Sequence, residues 1–415
     1  MMWQRHFGES YYKNYDFLLT VLIVLIIIAL FAGKTVIFTV IGIYAAYFMM
    51  YTQFDKHILK NITLKNPKHI IRLFPGEEGT LTFDLANKST FPAINGQFRF
   101  QTDSSVHAKE LSKEINNYWN QYQIPISLVR KGHTMLSFPI YAEHRGTARI
   151  RNITYSFPHL FNFDNVELHY APFFKTEIIV FPEPKYVHGL GSVFEMTPGS
   201  HPVHSSVFED IQDRVGTRDY HYSDAFARIN WKASAKTHRL QTNVYEKVID
   251  LSYLFIVNIE TKLGEMNMVQ FDENLENLLS YTAYLCQYAT EKDIPFEMYI
   301  NARKPGKEPF LHLQEGVGQT HFGNALEMLA RIQRQSMAVP FDHMLYRIGK
   351  QLRKPQSIVL VGDVFPKAGQ MIQSWNRIQN NISHVTAMGD DDAYLVPWGN
   401  KDHVDVVTNS RDVTT

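Results

Sequence analysis

Two stretches without a charged residue, 17–33 and 35–51, follow one another early in the chain, with Lys34 alone between them. As helices, each rises about 25 Å at roughly 1.5 Å per residue, slightly under the ~30 Å hydrocarbon core of a bilayer. Snorkelling flanks or local thinning close a gap of that size. The pattern predicts a transmembrane helical hairpin over 17–51. A cleavable signal peptide fits the first stretch but leaves the second unexplained, and Leu30-Phe31-Ala32 is a poor cleavage site. A single long spanning helix is the other rival.

Beyond residue 51 the period becomes two. Leu81, Phe83 and Leu85 alternate with polar residues, as on a half-buried strand. Asn95-Gly96 ahead of Phe98 and Phe100 reads as a hairpin turn. Further strands are expected at 135–141, 148–155 and 176–181, and the polar stretch 103–131 as an insertion or short helix. Together, 52–184 reads as a small antiparallel β domain of sandwich type, ended by Pro182-Glu183-Pro184. A connector, 185–250, follows.

From residue 251 short apolar strands alternate with helical spacings. Strands are expected at 251–257, 294–300, 358–361 and 384–388. Leu275, Leu279, Cys286 and Ala289 mark one helix, Leu326, Leu329 and Ala330 a second, Phe341, Leu345 and Ile348 a third, Met371, Ile372 and Trp375 a fourth. This is the signature of a doubly wound α/β domain with a mostly parallel sheet, over 251–415.

The length of 415 residues fits two or three domains. Lys+Arg and Asp+Glu are both 41, so there is no basic excess of the kind nucleic-acid binding needs. The single cysteine, Cys286, excludes an internal disulfide framework and a cysteine zinc cluster. Basic residues set an orientation. Arg5 and Lys13 precede the apolar pair, Lys56, Lys60, Lys65, Lys68 and Arg72 follow it, and the turn offers only Lys34. The positive-inside rule puts residues 1–16 and both termini in the cytoplasm, with the hairpin as a multi-pass anchor in the cell membrane.

Candidate chemistry concentrates in the connector. Glu209, Asp210, Asp213, Arg214, Arg218, Asp219, Asp224 and Arg228 are dense in charge. Arg228, Lys232 and Lys236, at i, i+4 and i+8, are expected to share a helical face. In a structural role, Arg218 and Arg228 pair with neighbouring acids and Trp231 is buried as an anchor. In a contact role, the cations and the aromatic face a partner. His201 and His204 lie near the acids, but Pro202 between them opposes a shared helix face. No phosphate-binding Gly-x-x-x-x-Gly-Lys loop and no Gly-x-Ser-x-Gly setting occurs, and no catalytic residue is assigned.

The segment Arg218-Asp219-Tyr220, Asp224, then Arg228-Ile229-Asn230-Trp231-Lys232-Ala233-Ser234-Ala235 resembles the bacterial family known as domain of unknown function 58. Ser223 stands where that family often has Gly. His144-Arg145-Gly146, Phe161-Asn162-Phe163 and the paired apolar segments extend the resemblance over nearly the whole chain. It implies a von Willebrand factor A-like C-terminal fold and partner-binding roles for Arg218, Tyr220, Asp224, Arg228, Trp231, Lys232 and Ser234. It also implies the company of a MoxR-type AAA+ ATPase and of membrane proteins with transglutaminase-like domains, with the lipid bilayer as a further partner. No established reaction is attached to it.

The same resemblance raises a metal question. Von Willebrand A domains hold Mg²⁺ with an Asp-x-Ser-x-Ser motif, a later Thr and a late Asp, hard oxygen ligands for a hard cation. The matching positions here are Asn258, Glu260, Lys262, Thr320 and Asp363. Asn258 lacks the leading carboxylate and Lys262 opposes a cation, so the expectation is a degenerate, metal-free crevice that binds a protein; the alternatives are a Mg²⁺ site, or Thr320 and Asp363 as simple helix caps. The expected function is a membrane-anchored, cytoplasm-facing adaptor. The alternatives are a metal-dependent hydrolase using Thr320 and Asp363 with the acids around Glu209, and a purely structural component of a membrane complex.

Overall fold

The structure, a computed structural model, describes residues 2–5, 9–32, 35–108, 113–116, 119–162, 164–191, 209–222, 224–247, 252–260, 274–306, 308–333, 337–352, 356–376, 381–388 and 392–399. The chain forms two compact units, Met1–Glu183 and Pro184–Thr415.

In the first unit the elements run β1 (Trp3–Arg5), α1 (Glu9–Ala32), α2 (Thr35–Asn61), β2 (Ile62–Leu64), β3 (Ile70–Leu73), β4 (Glu78–Asn87), β5 (Ala93–Asp103), β6 (Val106–His107), β7 (Lys113–Asn116), β8 (Trp119–Leu128), β9 (His133–Ala142), β10 (Gly146–Pro158), β11 (Asn165–Tyr170) and β12 (Glu177–Val180). One sheet has the order β1-β11-β10-β5-β8-β7, with β12 and β3 continuing from β10, and a second has the order β2-β4-β9-β6. All described pairings are antiparallel except β12 with β3. Alternating inward residues fill the space between the sheets. Phe83 of β4 meets Phe98 and Phe100 of β5 at 5.0 Å between ring centroids.

Two expectations in this unit are corrected. Asn95-Gly96 is no hairpin turn but a bulge within β5, with Asn95 at φ 53° and the register to β8 shifting between Ala93 and Gly96. The Tyr155 ring lies where a Gly96 side chain would stand, and its hydroxyl donates to the carbonyls of Ala93 and Ile126. The polar stretch 103–131 is neither insertion nor helix where it is described. It supplies β6, β7 and β8. The inward positions of β8 include Asn120, whose amide donates to the Val106 carbonyl at 3.0 Å, so a polar residue occupies a core site and masks the alternation.

Among the described residues one helix is long and apolar enough to cross a membrane, Val36–Ile58 (23 residues), while the apolar stretch Asp16–Ile28 of α1 is shorter. The pattern predicts two spans; among the described residues one helix is both long and apolar enough. It runs past residue 51 because Tyr51, Phe54 and Ile58 lie at i, i+3 and i+7 and are buried in the sandwich core. Phe54 packs on Phe91 (5.4 Å) and His159 (4.4 Å). The two helices touch, with the Tyr44 hydroxyl donating to the Leu18 carbonyl at 3.0 Å.

The register places both helix connections at one end of the sandwich. Ala93 pairs with Leu128, Gln97 with Ser156, and Pro158 with Asn165. The β4–β5, β8–β9 and β10–β11 loops therefore share that end. Ile62, which follows α2, pairs there with Asn87. β1 runs toward the same end, antiparallel to β11, before the chain enters α1.

In the second unit the elements are β13 (Val187–His188), β14 (Glu209–Asp219), α3 (Trp231–Thr237), β15 (Gln241–Lys247), β16 (Tyr253–Val257), α4 (Asn274–Glu291), β17 (Phe296–Arg303), β18 (Phe310–Gly316), α5 (Gln319–Ala330), α6 (Phe341–Gln351), β19 (Ser357–Val361), α7 (Pro366–Asn376), β20 (Asn381–Met388) and β21 (Asp392–Pro397). The main sheet has the order β13-β21-β20-β19-β16-β17-β18. Its centre, β20-β19-β16-β17, is parallel; β18 runs antiparallel to β17 and β21 antiparallel to β20, while β13 pairs parallel with β21. All five residues of β16 are buried, as a central parallel strand with both faces covered requires. This unit is mixed α/β with a mostly parallel sheet. The antiparallel strands β18 and β21 and the edge strand β13 are additions to the predicted strand set. The connector is not structureless, since β14 and β15 pair as a two-stranded ribbon.

Candidate functional site

The connector signature builds one local structure between the two ribbon strands. Arg218, at the end of β14, grips Asp224 in a bidentate pair at 2.8 and 2.6 Å. The same carboxylate accepts the His221 amide at 2.9 Å, and the Tyr220 hydroxyl donates to the Asp224 carbonyl at 3.2 Å. The Arg218 guanidinium, aided by the His221 amide, holds the Asp224 carboxyl below the usual carboxylate range. Next comes a single 3-10 turn, Phe226–Arg228, and then α3. Asn230 caps α3 by accepting the Ala233 amide at 3.0 Å. Ser234 is buried; its hydroxyl donates to the Asn230 carbonyl and accepts the Gln241 amide, both at 2.8 Å, which ties the helix to β15.

The signature residues thus divide by what they touch. Arg218, Tyr220, Asp224 and Ser234 hold the turn. Trp231 and Lys232 face solvent. The expectation that Trp231 is a buried anchor is corrected: Trp231 is 60% exposed, and Ile229 is the buried apolar residue of the segment. Trp231 packs edge-to-face on Phe226, itself 70% exposed, at 5.7 Å. Arg228 does not share a helix face with Lys232 and Lys236, because it sits on the 3-10 turn before α3 begins. The sequence reading missed Phe226, although it lies five residues before Trp231 and supplies the second ring. His201 and His204 fall outside the described residues, as do the side chains of Glu209, Asp210 and Asp213. So do Phe163 and Ser223.

The crevice at the carboxyl ends of the parallel strands is the second candidate. Asn258 follows β16 and Asp363 follows β19. Asn258 is 1% exposed, and its amide donates to the Asp363 backbone carbonyl at 2.6 Å. Asn301, on β17 and fully buried, donates to the Asn258 side-chain oxygen at 2.7 Å and to the Val339 carbonyl at 3.1 Å. Its own oxygen accepts the Ile259 amide at 2.8 Å. The Glu260 amide donates to the Asn258 side-chain oxygen at 3.0 Å, and its carboxylate accepts the Phe341 amide at the start of α6, also at 3.0 Å. His384 binds the Gly362 carbonyl at 2.8 Å, and burial pushes its pKa down.

These residues do not fit a divalent cation. The buried oxygens that face the crevice are amide groups already engaged with one another and with backbone, and Glu260 is committed to a helix N-terminus. No group of three or more His, Cys, Asp or Glu able to hold a metal occurs among the described residues. Thr320 is not in the crevice at all. β18 returns antiparallel, so that Gly316 pairs with Phe296 at the amino end of β17, and α5 starts there. His321 confirms the placement by bonding the Phe296 carbonyl at 2.9 Å. Thr320 and Asp363 therefore stand at opposite ends of the sheet, which removes the pairing on which the hydrolase alternative depends. Lys262 lies outside the described residues. Asn301 was not foreseen, although an Asn within the otherwise apolar run 298–302 is a signal of a committed amide.

No protein-family model and no curated protein matches the chain. Solved structures similar to it include the CARDB domain of a Pyrococcus furiosus protein (13% identity, 29% of this chain, 92% of that chain, TM-score 0.17). A non-cellulosomal cohesin from Archaeoglobus fulgidus (6%, 29% and 91%, TM-score 0.19) and a type I cohesin from Pseudobacteroides cellulosolvens (10%, 28% and 91%, TM-score 0.20) are also similar. At these scores the likenesses carry nothing beyond themselves.

Proposed function

We propose that the chain is a membrane-anchored adaptor whose exposed Phe226–Trp231 pair, flanked by Lys232 and Lys236, is the contact surface for a protein partner. The observation that carries this is the exposure of two aromatic rings packed edge-to-face beside a turn held by Arg218, Tyr220, Asp224 and Ser234. Exposed aromatics beside cations have the makeup of interface hot spots. By resemblance to the domain of unknown function 58 family, with its von Willebrand A-like domain, the partner is a MoxR-type AAA+ ATPase. A membrane protein with a transglutaminase-like domain is a further associate. The α/β crevice, closed by its own amides, serves as a rigid platform.

The anchor is α2, with α1 beside it. β1 precedes the helices and β2 follows them, and both strands belong to the same sandwich. An excursion that leaves and rejoins one face of a bilayer crosses it an even number of times. This supports α1 as the return partner of α2, a two-pass hairpin, and the basic residues favour the cytoplasmic side for the sandwich and both termini. Burial of Tyr51 leaves Val36 to Met50 for lipid, about 22 Å at roughly 1.5 Å per residue, so local thinning accompanies insertion.

The test is crosslinking in native membranes, purification in mild detergent and mass spectrometry, with a Phe226→Ala/Trp231→Ala variant alongside. An AAA+ ATPase recovered with the native chain and lost with the variant supports the adaptor. No ATPase with either removes it and advances the structural-component alternative.

A further inference from the structure

We infer that the helix-bearing end of the sandwich is itself a lipid-binding surface, seated on anionic headgroups of the leaflet from which the helices depart. This rests on the membrane anchoring proposed above. Lys88 lies in the β4–β5 loop and Val129, Arg130 and Lys131 in the β8–β9 loop, and all four are exposed. The two loops are knit together by the Lys131 amide donating to the Ser89 carbonyl at 3.2 Å and the Asn87 amide to the Gly132 carbonyl at 2.9 Å. The Lys88 amide donates to the Asn61 carbonyl at the end of α2 at 2.8 Å, so the loops are continuous with the anchor. On α2 itself, Lys56 and Lys60 are exposed while Tyr51, Phe54 and Ile58 face the core.

Five exposed cations thus lie on these two loops and the end of α2, with Val129, 59% exposed, next to Arg130. The β4–β5 and β8–β9 loops contain no acid. In the β10–β11 loop Asp164 is held by the Asn162 amide at 2.8 Å. Cations beside an exposed apolar side chain, on loops joined to the proposed anchor helix, match an anionic interface in charge and in polarity. A soluble acidic protein has the charge but not the continuity with α2.

The test uses the full chain in nanodiscs. Cys286 is buried, so a label goes to an introduced cysteine. An environment-sensitive fluorophore is placed at Val129→Cys or, separately, at Ile43→Cys. Quenching is read from spin labels on the headgroup and in the acyl chain, with and without phosphatidylglycerol. The expected result is headgroup quenching at position 129 that needs phosphatidylglycerol, weakens with salt and is lost in a Lys88→Glu/Arg130→Glu/Lys131→Glu background, while acyl-chain quenching at position 43 persists throughout. Quenching at 43 without quenching at 129 overturns the inference and leaves the anchor standing. Quenching at neither position overturns both.

Discussion

Replacing Asn258 with Asp supplies the carboxylate that a metal-binding crevice needs, and the geometry predicts that it damages the protein instead. One carboxylate oxygen keeps the Asn301 and Glu260 donors. The other then faces the Asp363 carbonyl, to which Asn258 now donates at 2.6 Å. The lost hydrogen bond is worth about 1 kcal/mol, and a buried acceptor left against another acceptor costs about 1–3 kcal/mol more. The α/β unit is then weaker by about 2–4 kcal/mol, a factor of about 30 to about 800 in its opening equilibrium. Hydrogen exchange of the β16 and β19 amides, read by mass spectrometry on the intact chain in detergent, measures this directly. The pH dependence has a definite sign. Burial and the facing carbonyl raise the folded-state pKa of the new carboxyl above its unfolded value of about 3.9. The deficit is therefore full above the folded pKa and shrinks as pH falls through it, because the protonated carboxyl can again donate to Asp363. Exchange equal to the native chain at neutral pH refutes the amide lock. Exchange restored by Mg²⁺ refutes the conclusion that the crevice does not suit a cation.

Trp231→Ala is expected to change stability by no more than about 0.5 kcal/mol, whereas Ser234→Ala, which removes a buried link to β15, costs about 1 kcal/mol; thermal melts of the two variants separate contact from scaffold. The Asp224 carboxyl has a lowered folded pKa, so its support of the turn is present above the unfolded value of about 3.9 and disappears as pH falls through the folded one. Faster exchange of the His221 amide at acid pH, absent in Asp224→Asn, is the readout. Gly362→Ala costs about 1–3 kcal/mol, since Gly362 has φ 97° and a side chain there meets the Asn258 carbonyl; a lower denaturation midpoint checks it. Cys286, with its thiol pKa pushed up by full burial, stays unreactive toward a thiol reagent until the unit unfolds.

What the chain discloses in advance depends on whether local pattern and tertiary position agree. β16 and β19 read plainly because a central parallel strand is apolar on both faces. The helix α2 read plainly over its apolar part, but its extension to Asn61 depends on Phe54 and Ile58 finding a sandwich made of later residues. β8 was hidden because Asn120 occupies an inward position and is satisfied by a partner strand. Asn95-Gly96 misled because its left-handed backbone serves a bulge as well as a hairpin. In the candidate site, the Arg218–Asp224 pair was legible from charge and spacing. The solvent exposure of Trp231 was not, since a tryptophan beside Ile229 can turn either ring or aliphatic group inward, and only the β15 pairing decides which. Thr320 matched by order along the chain, yet one unforeseen antiparallel strand carried it to the far end of the sheet.

The strand β1 has one more bearing, on the order of events during synthesis. Trp3 pairs with Tyr170 and is fully buried against it, with ring centroids 5.3 Å apart. That partner leaves the ribosome only after both helices and nearly the whole sandwich have been made. On the anchoring proposed above, the helices reach the membrane while the sheet is still open, and β1 closes over them only after β11 has been made. A contact of such long sequence separation is slow to form, so β1 times the completion of the unit.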